Sequence, residues 1–114
     1  MGLMEVIVTG GREFDDREMV DKNLSALKPT LVIEGGARGA DRLARDWAKK
    51  NSVPFVTVDA EWSKLGLGAG HARNKKMIEM FPNAVLLAFP GNKGTANCVK
   101  QAEARKRTVI KATK

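Results

Sequence analysis

The stretch Asn83 to Thr95, NAVLLAFPGNKGT, limits what this chain can fold into more than any other. An apolar run from Ala84 to Phe89 stops at Pro90-Gly91, and a Gly94-Thr95 pair then opens a segment with helical patterning from Ala96 to Lys106. This is the pattern of a buried strand that delivers a tight loop to a helix N-terminus. Backbone N–H groups in a first helical turn lack intrahelical partners and carry the positive end of the helix dipole, so the junction can hold a phosphate or another anion.

Three other strand-to-loop transitions share this design. Glu5 to Thr9 is a β-branched run closed by Gly10-Gly11, and Asp15-Asp16 start a helix whose apolar stripe is Met19, Val20, Leu24 and Leu27, ended by Pro29. Leu31 to Ile33 predicts a second strand, followed by Glu34 and the Gly35-Gly36-Ala37-Arg38-Gly39 loop. Ala40, Leu43, Ala44, Trp47 and Ala48 then fall at i, i+3, i+4, i+7 and i+8, the clearest helix in the chain, with Trp47 in the core. After Asn51-Ser52, a third strand is predicted over Phe55 to Val58.

Asp59 to Gly70 reads as a long irregular connection carrying Trp62, Gly66, Gly68 and Gly70, the kind of loop that is functional or mobile. The next helix places Asn74, Met77, Ile78 and Phe81 on one face, which turns a polar Asn74 inward beside the loop. The helix after the PGNKGT loop turns Val99 and Ala102 inward, with Cys98 near them, and Thr108 to Ile110 predicts a fifth strand. Strands alternating with helices at this spacing imply parallel β-α-β units with right-handed crossovers. The expectation is therefore an α/β fold: a single Rossmann-like domain over residues 1–114, with strand order 3-2-1-4-5 and helices on both faces of the sheet.

Length and charge narrow the function. At 114 residues there is no room for a separate substrate domain, and 43% apolar residues is ordinary for a globular chain. The lone Cys98 excludes an internal disulfide, Met1 to Thr9 is too short for a signal peptide, and no eighteen apolar residues run together, so a cytoplasmic protein without membrane association is expected. Net charge is +7 but uneven: residues 1–46 carry seven Lys/Arg against nine Asp/Glu, and residues 47–114 carry thirteen against four. That excess makes polyanions candidate partners, although charge on helices usually means solvated faces, which with a tail is the favoured account. One Cys and one His make no metal site of usable spacing, and neither a G-x-x-x-x-G-K-[ST] nor a G-x-G-x-x-G motif is present, so no metal or cofactor is expected.

In an open parallel sheet ligands bind outside the carboxyl ends of the strands, where the strand order reverses. The crevice expected between the first and fourth strands brings Gly10-Gly11-Arg12 opposite Pro90-Gly91-Asn92-Lys93-Gly94-Thr95, with Gly35 to Asp41 and Gly66 to Asn74 as further walls. The predicted ligand-binding residues are Gly10, Gly11, Arg12, Gly35, Gly36, Asp41, Arg73, Asn74, Pro90, Gly91, Gly94 and Thr95. Their glycines admit backbone amides to a ligand and their arginines supply cations. Trp62 could stack on a base or close the core, and His71 reads as a polar residue at a helix start.

The ordered set Gly10-Gly11-Arg12-x-Phe14, Gly35-Gly36-Ala37-x-Gly39-Ala40-Asp41, Trp47-Ala48, Trp62, Gly66, Ala69-Gly70, Arg73-Asn74, Met77 and Pro90-Gly91-x-x-Gly94-Thr95 resembles the SLOG superfamily, specifically its small YspA/YpsA-related branch. The resemblance implies a Rossmann-like fold that binds nucleotides or nucleotide-derived ligands, in bacterial and phage conflict or stress settings, as a sensor or otherwise. It also brings in the LOG nucleosidases, which use an arginine before the fourth strand and a glutamate just after the Gly-Thr. Arg73 matches that arginine, but Ala96, Asn97 and Cys98 stand where carboxylates would be, and Asn92 replaces the motif's second glycine. Arg73 and Asp41 are then the candidate catalytic residues of a phosphoribohydrolase alternative, with Glu34 as a further carboxylate. The DNA-binding DprA proteins of the same superfamily imply a third alternative, single-stranded nucleic-acid binding by the basic half. The expected partner is a nucleotide-type small molecule, with weak nucleic-acid binding and a homo-oligomer left open. Replacing Gly91 or Gly94 by Val is expected to remove ligand binding from a folded protein.

Overall fold

The computed structural model describes residues 3–60 and 68–114, so Trp62 and Gly66 lie outside the described residues. Five strands, β1 (Glu5–Thr9), β2 (Leu31–Glu34), β3 (Phe55–Thr57), β4 (Val85–Ala88) and β5 (Val109–Lys111), form one sheet in the order β3-β2-β1-β4-β5. Every neighbouring pair is parallel, with Ile7 opposite both Ile33 and Leu86. This is the expected doubly wound order, and it reverses between β1 and β4.

Alternation along β1 distributes its side chains to two cores. Val6 and Val8 pack with Met19, Val20 and Leu24 of α1 (Arg17–Leu27) and Ala44 and Trp47 of α2 (Ala40–Lys50). Ile7, Ile33 and Leu86 pack on the opposite face with Met77 and Ile78 of α3 (Ala69–Met80) and Cys98 and Ala102 of α4 (Lys93–Ala104). Central strands covered on both faces must be apolar throughout, which is why β4 carries the unbroken run noted above. The Trp47 ring is buried, and its indole N–H donates to Asp21 Oδ1 at 3.1 Å, tying α2 to α1.

Element ends differ from the sequence reading in instructive ways. Asp16 is the N-cap of α1, accepting from the Met19 amide at 3.0 Å, and Lys28 closes the helix in the left-handed conformation (φ 52°) one residue before Pro29. Helix α3 starts at Ala69, inside the stretch expected to be irregular, and α4 starts at Lys93, three residues before the expected Ala96. Gly94 and Thr95 thus belong to the first helical turn instead of preceding it. Arg107 lies just before β5 and donates to the carbonyls of Ile78, Phe81 and Ala84, clamping the end of α3 to the sheet. Among the described residues no helix is long and apolar enough to cross a membrane.

Candidate functional site

A cavity of about 230 Å³ opens at the carboxyl ends of β1 and β4, where the strand order reverses. It brings together Gly10, Arg12, Asp41, Arg73, Asn74, Gly94 and Thr95 from four separate segments of the predicted set. Gly35 and Gly36 lie instead in an adjoining cavity of about 470 Å³, whose walls again include Arg12 and Arg73. Gly11, Pro90 and Gly91 line an outer groove beside Phe14.

The fold sets each of these side chains. Asn74, in the middle of α3, is only 3% exposed, and its Nδ2 donates to Gly94 O and to Asn97 Oδ1, both at 3.2 Å. Its Oδ1 accepts from Arg73 Nε at 3.1 Å, so one amide locks α3 to the first turn of α4 and orients the guanidinium. Arg73 Nη1 in turn donates to Gly35 O at 2.8 Å. A Cβ at Gly35 would fall on this guanidinium, so glycine there admits the arginine.

Two acidic residues lie behind the arginine. Glu34, fully buried at the end of β2, accepts from the Gly36 amide at 2.7 Å and from the Thr57 hydroxyl. Burial raises its pKa, opposed by those two hydrogen bonds and by Arg45. Asp41 sits in the first turn of α2, 6% exposed, with Oδ2 accepting from the Gly35 amide at 3.0 Å. Desolvation lifts its pKa to about 6 against the pull of Arg73, and the charge of Glu34 adds to the rise. Asp41 therefore titrates near neutrality at the wall of the cavity.

The first turn of α4 supplies the other wall. Its N-cap, Asn92, makes no side-chain hydrogen bond to the turn, and the first intrahelical bond runs from Ala96 N to Asn92 O at 2.9 Å. The Thr95 hydroxyl oxygen is buried and without a hydrogen-bond partner. A Cβ at Gly91 would fall on that hydroxyl and lie 2.7 Å from Gly11 N, because the two loops touch, joined by Gly11 N donating to Pro90 O at 2.8 Å. A Cβ at Gly94 would meet nothing within 4 Å. Only Gly94 of this pair can take a side chain without disturbing the loop, which narrows the substitution expected from sequence.

Cys98 is fully buried, and burial pushes its thiol up to about 11, so it stays protonated. His71 is exposed at the start of α3. Glu103, the first acid after Gly94-Thr95, lines a different groove with Lys111. Asn97, at a position where the nucleosidases carry acid, spends its carboxamide oxygen on Asn74 and Gln101. Sequence reasoning did not single out Asn97 as a partner of Asn74 or Arg42 as a cavity residue. Asn97 and Gln101 at i, i+4 carried a faint signal for the first; nothing local marks Arg42. Among the described residues no group of three His, Cys, Asp or Glu side chains is placed to hold a metal ion.

Comparison with known proteins gives the chain a lineage. Residues 4–65 match the model of the YAcAr family, described as the YspA, cpYpsA-related SLOG family. The matched region carries the Gly10–Arg12 and Gly35–Asp41 loops, while Arg73 and the α4 start lie beyond it. The chain is 34% identical over 113 residues to the Gene 61 protein of Mycobacterium phage D29, covering 89% of this chain and 90% of the phage protein. Its fold is similar to that of DNA processing protein A (DprA) from Streptococcus pneumoniae, with a TM-score of 0.55 and 14% identity over 95% of this chain, which spans 58% of the DprA chain. With more than half its length inside the family model and a phage relative a third identical along nearly all of it, the chain belongs to the YspA, cpYpsA-related SLOG family.

Proposed function

We propose that this protein binds a nucleotide or nucleotide-derived ligand, with a phosphate seated on the first turn of α4. The observation that carries this reading is the convergence, in one cavity at the point of strand reversal, of an uncapped helix start, two arginines and the threonine of the Gly94-Thr95 pair. The helix amides and the guanidiniums of Arg12 and Arg73 supply the charge that a phosphate needs, and Asn74 ties Arg73 to the first turn of α4. A sensor role in phage or bacterial conflict is the setting that the family suggests.

The test is calorimetric titration of the protein with the ribonucleoside 5′-monophosphates, beside a Gly94→Val variant. The new side chain enters open space in the cavity wall, so the variant folds and its affinity drops by at least tenfold. Equal affinity in the folded variant, or no binding of any nucleotide to the parent, overturns the reading.

A second reading is favoured by Asp41. Cleavage of an N-glycosidic bond builds positive charge on the ribose, and a carboxylate beside it, or one that activates water, lowers the barrier. Asp41 is the acid that lines the cavity beside Arg73, whereas Glu34 is enclosed by Gly36 and Thr57. Release of free base from nucleoside monophosphates, lost in Asp41→Asn, would establish hydrolysis; intact nucleotides after prolonged incubation would leave binding alone.

A further inference from the structure

The two cavities at the strand ends share a wall. Arg12, Ala37 and Arg73 line both, and the larger one, about 470 Å³, adds Arg38, Arg42 and Asp59. At about 230 Å³ the first cavity is below the usual range of ~300–1,000 Å³ for small-molecule sites, whereas the two side by side fall within it. Among the described residues the second cavity is lined by four arginines against one aspartate, and its Gly35-Gly36-Ala37 stretch carries no side-chain charge.

Two of those arginines are available to a ligand at small cost. Arg38 pairs with Glu13, but the two side chains are 65% and 86% exposed, and an ion pair so open to solvent is weakly held. Arg42, four residues further on in the first turn of α2, has no hydrogen bond or ion pair among the described residues. Asp59 follows β3 on the opposite side, next to Gly36. Arg38 and Arg42 thus line the second cavity and not the first, whereas Gly94 and Thr95 of α4 line the first and not the second.

We propose that the second cavity is a second anion site and that the ligand carries two phosphate groups, one for each cavity, with Arg12 and Arg73 on the wall that the cavities share. This rests on the reading that the first cavity holds a nucleotide phosphate, and it names the ligand class: a nucleotide with a second phosphate, on the 5′ chain or on the ribose, and not a nucleoside monophosphate. Bidentate arginine–phosphate contacts favour such a group over a neutral one.

The test compares 5′-monophosphates, 5′-diphosphates and 3′,5′-bisphosphates of the same nucleosides by calorimetry at fixed ionic strength. The parent is measured beside R38A/R42A and a charge-matched control, K100A/K111A, with circular dichroism to confirm folding. One of the doubly phosphorylated series is expected to bind the parent at least tenfold more tightly than its monophosphate, and which series does so locates the second phosphate. R38A/R42A should erase that advantage while leaving monophosphate affinity within about threefold, and K100A/K111A should keep it. Equal affinity of singly and doubly phosphorylated ligands, or an advantage that survives in R38A/R42A, overturns the second site while monophosphate binding leaves the first standing. Absence of binding by every nucleotide defeats both.

Discussion

Asp41 shows what the site costs the fold. Its carboxyl is 6% exposed, and its pKa rises from 3.8 to about 6 because burial outweighs the attraction of Arg73. The folded protein therefore holds this proton more tightly than the unfolded chain does. Stability falls as pH rises from about 4 to about 6, and above that the ionised carboxylate costs about 3 kcal/mol. Asp41→Asn should raise stability above pH 6 by up to that amount and flatten the pH dependence, leaving the same-signed slope contributed by Glu34, whose pKa burial also raises. Urea melts between pH 4.5 and 8 measure this; a variant less stable than the parent at pH 7.5 would show that Asp41 is retained for stability. The Gly35-to-Asp41 motif marked this residue in the sequence, but its proton did not show there, because burial depends on β2, α2 and α3 meeting. The glycines teach the same lesson. At Gly39, φ is +84° and a Cβ would lie 2.7 Å from the Arg12 carbonyl oxygen, so glycine there serves the meeting of two loops. Composition alone does not separate such a glycine from Gly94, beside which the cavity is open.

At the scale of elements, the start of α4 sets the proposed phosphate site. Pro90-Gly91 ends the strand, Asn92 stands at the N-cap with no side-chain bond to the turn, and the amides of Lys93, Gly94 and Thr95 follow it. The helical patterning in the sequence runs from Ala96, with Gly94-Thr95 opening it, whereas the helix itself starts at Lys93. In the structure, the Asn74 bond to Gly94 O and the packing of α4 on α3 outweigh the weak helix propensity of one glycine, which is about 1 kcal/mol. Asn92→Asp is a sharp test of the element. A carboxylate at the N-cap complements the dipole and should stabilise the protein by about 0.3–1 kcal/mol. The same charge repels a phosphate on the first turn, so nucleotide affinity should fall by about tenfold. Thermal melts and calorimetry on one variant read both. A stabilised protein with unchanged affinity would place the phosphate away from α4.

The whole molecule raises the question of nucleic acid. The strand order, the two helical layers and the crevice at β1 and β4 were all legible from the alternation of strand and helix signals, because right-handed crossovers and the strand-reversal rule leave few arrangements open. The use of the positive charge was not legible, since it depends on where the lysines emerge. They emerge dispersed: Lys49 and Lys50 end α2, Lys75 and Lys76 lie on α3, Lys100 on α4, and Lys111 on the edge strand β5, all exposed. Among the described residues these lysines are spread over three helices and an edge strand. Binders of single strands also stack bases on exposed aromatics. Among the described residues Trp47 and Phe89 are buried, and Phe14, Phe55 and Phe81 are half-buried. The likeness to DprA is one of fold and brings none of its contacts to this chain. Single-stranded oligonucleotides should therefore bind weakly and through charge alone. Anisotropy titrations of a labelled poly-dT strand should show affinity falling at least tenfold between 50 and 200 mM salt, with log K linear in log salt. K49A/K50A and K75A/K76A should each weaken binding by a similar modest factor, as expected of a diffuse field, while leaving nucleotide affinity at the strand ends unchanged. Tight binding that persists at high salt, or that nucleotide competes away, would instead make the strand-end cavity the end of a nucleic-acid groove.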